Sequence, residues 1–233
     1  MAQTCLQIIQ TACRRIGILA PNAVVGSTDP QIIQLLAISE EEGQEQADRY
    51  QWESLQQEAT FTTVATQVQT TLAAITTGFN YIVNDTIWNR SLRRPVYGPK
   101  SQQDWQQDKA LQLNGPFNAF RIINEVINFY PDPVAGQSCY FEYISENWVT
   151  TGVTSSPVWV TDADTPKIDD QILILGTIWR WKQAKGRAYG EDLETAERSI
   201  NRYTGAAPGR RLLILGGGSY STTNNIPEGN WNQ

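Results

Sequence analysis

Asp169-Asp170-Gln171-Ile172-Leu173-Ile174-Leu175-Gly176-Thr177-Ile178-Trp179-Arg180-Trp181-Lys182-Gln183-Ala184 decides how this chain is read. It holds the longest strongly apolar run, Ile172 to Leu175 continued through Ile178 to Trp181, yet Gly176, Thr177 and Arg180 interrupt it. A membrane span needs about 20 apolar residues, so the stretch predicts a buried helix in a soluble protein. Ile172, Leu175, Ile178, Trp179 and Ala184 form its first apolar set; Leu193, Ala196, Ile200 and Tyr203 form a second, three and four residues apart. Gly186 and Gly190 lie between the sets, which predicts a helical segment over 169–203 with a kink or break at the glycines.

A helix this apolar needs helical partners, and the N-terminal residues supply them. Thr4 and Gln7 stand in capping-box spacing before Leu6, Ile9, Cys13 and Ile16, and Gly17 closes the pattern. A second helix opens at Asp29-Pro30, a capping residue followed by the one best tolerated at the first helical position. Its apolar positions are Ile33, Leu36, Gly43, Ala47 and Tyr50, and the run Glu40-Glu41-Glu42 reads as a solvated face. Between residues 57 and 160 the period changes from helical to alternating, in Thr60–Val64, Asp85–Leu92, Phe120–Phe129 and Ser138–Ile144. Cys139, Phe141 and Tyr143 share one face of the last of these, and Asn124-Glu125 marks a tight hairpin in the third. Ser101 with Asp104 caps a short helix through Trp105 to Leu111.

These elements predict an α+β fold, mainly α: a helical bundle with a small antiparallel β insertion and an extended C-terminal arm. The bundle takes residues 1–56 and 165–204, the insertion 57–164, and the flexible arm 205–233. In the arm, Gly205 to Gly209 is a linker, Arg210-Arg211-Leu212-Leu213-Ile214-Leu215 is β-prone, and the remainder is rich in Gly, Ser, Thr and Asn.

Composition narrows the function. The chain has 233 residues, 40% hydrophobic and 10% aromatic with eight tryptophans, and 18% charged, so it folds. It contains no histidine, which removes the commonest general base and zinc ligand and every Ser-His or Cys-His pair. Three cysteines are too few for a disulfide framework, and Cys5 and Cys13 on one helix stand about 12 Å apart at about 1.5 Å per residue. The start has no secretory pattern, so nothing directs export. The net charge of −6 is concentrated early, with three basic against eight acidic residues in 1–60. That balance disfavours a free nucleic-acid binder.

The candidate chemistry is thin. Asp162-Ala163-Asp164-Thr165 is similar to the aspartate loop of haloacid-dehalogenase-type phosphatases, but the threonine comes one residue early and no βαβ series surrounds it; helix-entry capping is the better reading. A metal on Asp162, Asp164, Asp169 and Asp170 would want a glycine at the bend, where Pro166 stands. Gly216 to Ser219 lacks the lysine of a phosphate loop. No catalytic residue, cofactor or metal is assigned. The basic group Arg90, Arg93, Arg94 and Lys100 could touch a phosphate backbone or pair with acidic residues of a neighbouring subunit, the second being favoured. The tryptophans read as core or interface anchors.

Five strings, taken in order, carry a resemblance: Trp52 to Leu55, Glu58 to Val64, Trp88 to Pro99 with Ser101 to Trp105, Tyr140 to Trp148, and Leu175 to Gly186 with Tyr189 to Asp192. Over residues 4 to about 204 the chain resembles the head-to-tail adaptor (connector) proteins of tailed bacteriophages. The resemblance implies a virion structural protein and not an enzyme, made in the host bacterial cytoplasm and placed at the head-tail interface. It implies a homo-oligomeric ring, commonly of twelve copies, with the portal protein above and tail or nozzle proteins below. Double-stranded DNA would pass through without sequence-specific binding, and no membrane is involved. Arg210 to Leu215 would then dock on the portal or an adjacent subunit by strand addition. A tail-associated β-rich receptor- or glycan-binding module is the alternative.

Overall fold

The computed structural model describes residues 2–112, 115 and 117–206. Among these, six α-helices and eleven strands occur, 39% helical and 23% strand, and the strands form three antiparallel sheets. The expectation of a mainly helical bundle with a small β insertion is therefore corrected: the protein is α+β with a substantial β component. The shortfall has a physical origin. Strands of two or three residues, such as Trp88–Asn89, Arg94–Pro95 and Thr165–Pro166, exist because a partner strand supplies the ladder, and they are too short to leave an alternating pattern.

The helical side is built on α5 (Asp170–Ala184), which packs on α1 (Cys5–Ile16), α2 (Pro30–Arg49) and α6 (Gly190–Ala206). Asp169 caps α5 by accepting from Gln171 N–H at 3.0 Å, and Gly186, at φ 65°, lies in the break before α6. Helix α1 forms as the sequence predicts: Thr4 and Gln7 make a reciprocal capping box and Gly17 closes the helix. Helix α2 has the Asp29 cap and Pro30, and Gly43 and Ala47 are buried as predicted, but its first turns bury the residues one position earlier. Ile32 and Leu35 lie in the core, whereas Ile33 is 51% exposed.

That shift brings the acidic run into the structure. Glu42 is 1% exposed, so the reading of Glu40-Glu41-Glu42 as a solvated face is corrected at this position. Its Oε2 accepts from Arg180 Nε at 2.5 Å and its Oε1 from Gln46 Nε2 at 2.8 Å, while Arg180 also reaches Glu41 and Glu45. Two glycines make room. A side chain at Gly176 on α5 would overlap the Glu42 carboxyl, and one at Gly43 on α2 would overlap the Trp148 indole. Trp148 is fully buried and meets Trp159 edge-on at 4.8 Å, an arrangement that adds about 0.5–1.5 kcal/mol beyond its area.

The β side is organised by β8 (Ser138–Ser145). On one flank it pairs antiparallel with β1 (Gln56–Thr62) over seven residues; on the other it pairs end to end with β3 (Phe79–Ile82) and β4 (Trp88–Asn89), and β4 with β5 (Arg94–Pro95). Cys139, Phe141 and Tyr143 fall on one buried face, as the alternation predicts. They pack against a second sheet of β2 (Val68–Thr71), β7 (Val126–Tyr130) and β6 (Ala119–Ile123), through Phe120, Ile127 and Phe129. The β6–β7 hairpin turns on Asn124 and Glu125, both at positive φ, the pair of conformations a two-residue hairpin of type I′ needs. Ser101 caps α4 (Gln102–Ala110), whose Trp105 is buried. A one-turn helix, α3 (Leu72–Ile75), follows β2 directly. A third sheet of β9 (Val149–Thr151), β10 (Thr154–Ser156) and β11 (Thr165–Pro166) follows β8. One strand joins the two cores, since Ile144 of β8 lies in the helical cluster while Cys139, Phe141 and Tyr143 lie in the other.

The aspartate loop is a structural clasp, which corrects the reading of Asp162 to Thr165 as a helix-entry cap: Asp169 caps α5, and the loop's carboxylates bond elsewhere. Backbone carbonyls of Asp164 and Asp162 accept from Cys5 N–H (2.8 Å) and Leu6 N–H (3.2 Å), filling the open donors at the start of α1. The Asp162 carboxylate accepts from Val25 N–H at 2.7 Å and Val24 N–H at 3.1 Å, and Asp170 from Gln3 N–H at 2.7 Å. Asp164 accepts from Val160 N–H (2.7 Å), Thr161 N–H (2.8 Å) and Thr161 Oγ1 (2.5 Å). Burial pulls the Asp164 carboxyl up, but these hydrogen bonds outweigh it and hold the group below its ordinary 3.8. A carboxyl that is a stronger acid when folded contributes stability above the unfolded value, and loses it as pH falls through the native one. Asp164→Asn should therefore lower the thermal midpoint at pH 7 and flatten the decline below about pH 4. Removing one partner of a buried ion pair costs about 3–5 kcal/mol. Urea unfolding of Arg180→Met should show a loss of that size, and the double variant Glu42→Gln/Arg180→Met should recover much of it.

Candidate interaction surface

The arginines singled out in the sequence sit on and around a short hairpin. Asn89 of β4 is 2% exposed, and its side chain fixes the turn from inside: Oδ1 accepts from Leu92 N–H at 3.0 Å and Nδ2 donates to Gln137 Oε1 at 2.6 Å. Arg90 N–H donates to the Ser138 carbonyl, and Ser138 N–H donates to Ser91 Oγ, both at 2.9 Å. Arg93 takes the left-handed conformation at φ 57° and carries the chain into β5. The turn is thus held rigidly to β8 while Arg90, Arg93 and Arg94 all point outward and are exposed.

Their neighbours are aromatic. The Arg90 guanidinium lies 3.6 Å from the centre of the Tyr140 ring and 2.7 Å from Glu58 Oε2. Arg94 lies 5.8 Å from the Phe117 ring centre, and Phe117 meets Tyr97 edge-on at 5.5 Å. Trp88 (45% exposed), Leu92, Tyr97 and Phe117 (43%) are large apolar side chains left in solvent here. Lys100 belongs elsewhere: its Nζ lies 3.3 Å from Asp108 Oδ2 on α4. The structure therefore gathers Arg90, Arg93 and Arg94 around one hairpin and ties Lys100 to a helix. Trp105, which flanks this basic group in sequence, is core. Tyr97 and Phe117 were not flagged by sequence, although Tyr97 follows the buried Val96 and so falls on the outer side of an alternating pair.

The concave features offer little chemistry. A cleft of about 270 Å³ beside the hairpin is lined by Glu58, Asp85, Thr86, Trp88, Arg90 and Tyr140 among others, with Glu58 already paired to Arg90. A larger one of about 720 Å³ lies in the α1–α2 loop, where Asp29 is the one titratable lining residue and serves as the α2 cap. Among the described residues no group of three or more Cys, Asp or Glu is arranged to hold a metal ion, and no helix is long and apolar enough to cross a membrane. Arg210, Arg211, Leu212, Leu213, Ile214 and Leu215 lie outside the described residues.

What the surface offers, then, is a rigid exposed set of arginine, tryptophan, tyrosine, phenylalanine and leucine side chains, the composition of a protein-protein contact. No curated protein matches the chain. A family model described as SU10 adaptor protein matches residues 3–224, nearly the whole length. The chain belongs to the SU10 adaptor protein family, a phage head-to-tail adaptor family.

Proposed function

We propose that the protein acts as a homo-oligomeric ring of twelve copies, attached beneath the portal protein and carrying tail or nozzle proteins below. Double-stranded DNA passes through the ring without sequence-specific recognition, and no cofactor takes part. The chain is made in the host bacterial cytoplasm and works at the head-tail interface of the virion. Family membership supports the adaptor role, and the hairpin surface carries the ring. Arg90, Arg93 and Arg94 stand beside Trp88, Leu92, Tyr97 and Phe117 on a turn anchored from inside by Asn89, so little backbone freedom is lost on docking. An overall charge of −6 supplies carboxylates on a neighbouring copy for these arginines, and it keeps an exiting duplex from adhering to the wall. In the same reading Arg210 to Leu215 docks by strand addition on the portal or an adjacent subunit.

Charge reversal tests this directly. Arg93→Glu/Arg94→Glu alters exposed side chains that lie outside both cores, so the thermal midpoint of the free chain should stay within a few degrees of the parent. Ring assembly, followed by sedimentation and by electron microscopy with portal, should require at least about tenfold more protein. Unchanged assembly together with loss of DNA retention in filled heads would assign these arginines to the channel wall instead.

A further inference from the structure

Strand β8 holds opposite charge at its two ends. Its first residue, Ser138, anchors the arginine turn: Arg90 N–H donates to the Ser138 carbonyl and Ser138 N–H to Ser91 Oγ, both at 2.9 Å. At the other end Glu146 follows the strand, and its N–H donates to the Gly78 carbonyl at 2.8 Å. Asp48 of α2 is fixed to that same end. Its Oδ1 accepts from Asn80 Nδ2 at 2.5 Å, and β3, which contains Asn80, pairs with Ile144 and Ser145. The eight residues of β8 set the two ends about 23 Å apart at about 3.3 Å per residue. Pairing on both flanks keeps that separation fixed.

The acidic end is concave and the basic end is an exposed turn. Asp48 and Glu146 line a cavity of about 240 Å³ together with Gln44, Ala47 and Pro157. Both acidic residues are exposed, and among the described residues no cation pairs with either: Arg49 is taken by Glu197, and Arg180 by Glu41, Glu42 and Glu45. Exposed Glu45, three positions before Asp48, adds a further carboxylate to the same face of α2. On the hairpin, Arg93 closes the turn, is exposed, and has no side-chain hydrogen bond or ion pair among the described residues.

Two complementary surfaces at opposite ends of one rigid strand make a head-to-tail contact. A first copy's arginines meet a second copy's carboxylates, the second's meet a third's, and the series closes where the rotation per copy allows. A two-fold contact would instead set hairpin against hairpin, with like charges facing each other. Carboxylates are also the groups that a guanidinium binds bidentately. We propose that the notch at Asp48 and Glu146 is the acceptor for the Arg93–Arg94 turn of the next copy, so that the two ends of β8 form the two sides of each boundary in the ring. The pairing rests on the ring reading above and supplies its acidic side.

Exchanging the charges tests this in full chains mixed with portal. Asp48→Lys/Glu146→Lys should keep a thermal midpoint within a few degrees of the parent and need at least about tenfold more protein to form rings, as should Arg93→Glu/Arg94→Glu. Mixing the two variants in equal amounts restores opposite charges at every boundary of an alternating ring, and assembly should return to within about threefold of the parent. Unchanged assembly of the lysine variant, or no recovery in the mixture, would overturn the pairing. Rings that form but no longer attach to portal would also overturn it, by giving the notch to the portal. Leu92→Cys/Gln44→Cys keeps all four charges and stays decisive if the lysines prevent folding. Cys5, Cys13 and Cys139 are buried and do not compete. Oxidised, this variant should give a ladder of chains beyond the dimer, absent from either single variant. Ladders from a chain whose parent forms no closed ring on portal would uphold the pairing and overturn the ring. Closed rings without ladders would overturn the pairing and leave the ring standing, and absence of both would overturn both.

Discussion

Arg180 is the residue around which the helices are arranged. It sits on α5, the helix that touches α1, α2 and α6, and it draws Glu42 of α2 out of solvent to a 2.5 Å contact. A buried carboxylate is tolerated only where its oxygens are occupied, and here Arg180 takes one and Gln46 the other. The pair fixes the rotation of α2. Once Glu42 faces α5, Ile32 and Leu35 must face the core, and Gly43 must receive Trp148. Burial pushes the Glu42 carboxyl up while Arg180 opposes it, so the contact depends on both groups being present. Buried ion pairs are rarely the cheapest way to fill a core, and this one acts mainly by specifying a register.

The same logic of support from inside holds the interaction surface. Asn89 is buried, and its two hydrogen bonds shape a turn whose arginines are exposed. The strand β8 links this turn to the helices, because Ile144 at its end, with Trp148 and Val149 beyond it, belongs to the helical core. Force applied at the hairpin is thus carried through a single paired strand into a packed body, which suits a component that joins two larger assemblies.

Much of this was legible in the residues. The caps at Thr4, Asp29 and Ser101, the break near Gly186 and the Asn124-Glu125 hairpin are local signals, and local chemistry decides them. Three features were not. The two-residue strands depend on partners outside their own segment, as Trp88 does on Tyr140, about 50 residues away in sequence. The burial of Glu42 depends on an arginine 138 residues distant, and a triplet of glutamates carries no mark of which one turns inward. The arginine hairpin was visible as a cluster of charge, but its rings at Tyr140 and Phe117 come from other segments and join it only in three dimensions.

The central claim is that a body fixed by Arg180 and Glu42 presents the Arg90–Arg94 hairpin to a neighbouring copy in a ring on the portal. A cryo-electron microscopy map of the purified chain mixed with its portal measures this most directly. The account predicts a closed ring seated on the portal, with Trp88, Arg93, Arg94 and Tyr97 at the boundary between copies and α2 packed on α5 as in the free chain. A map in which the chain stays apart from the portal, or forms a ring whose copy-to-copy boundary leaves that hairpin in solvent, would contradict it.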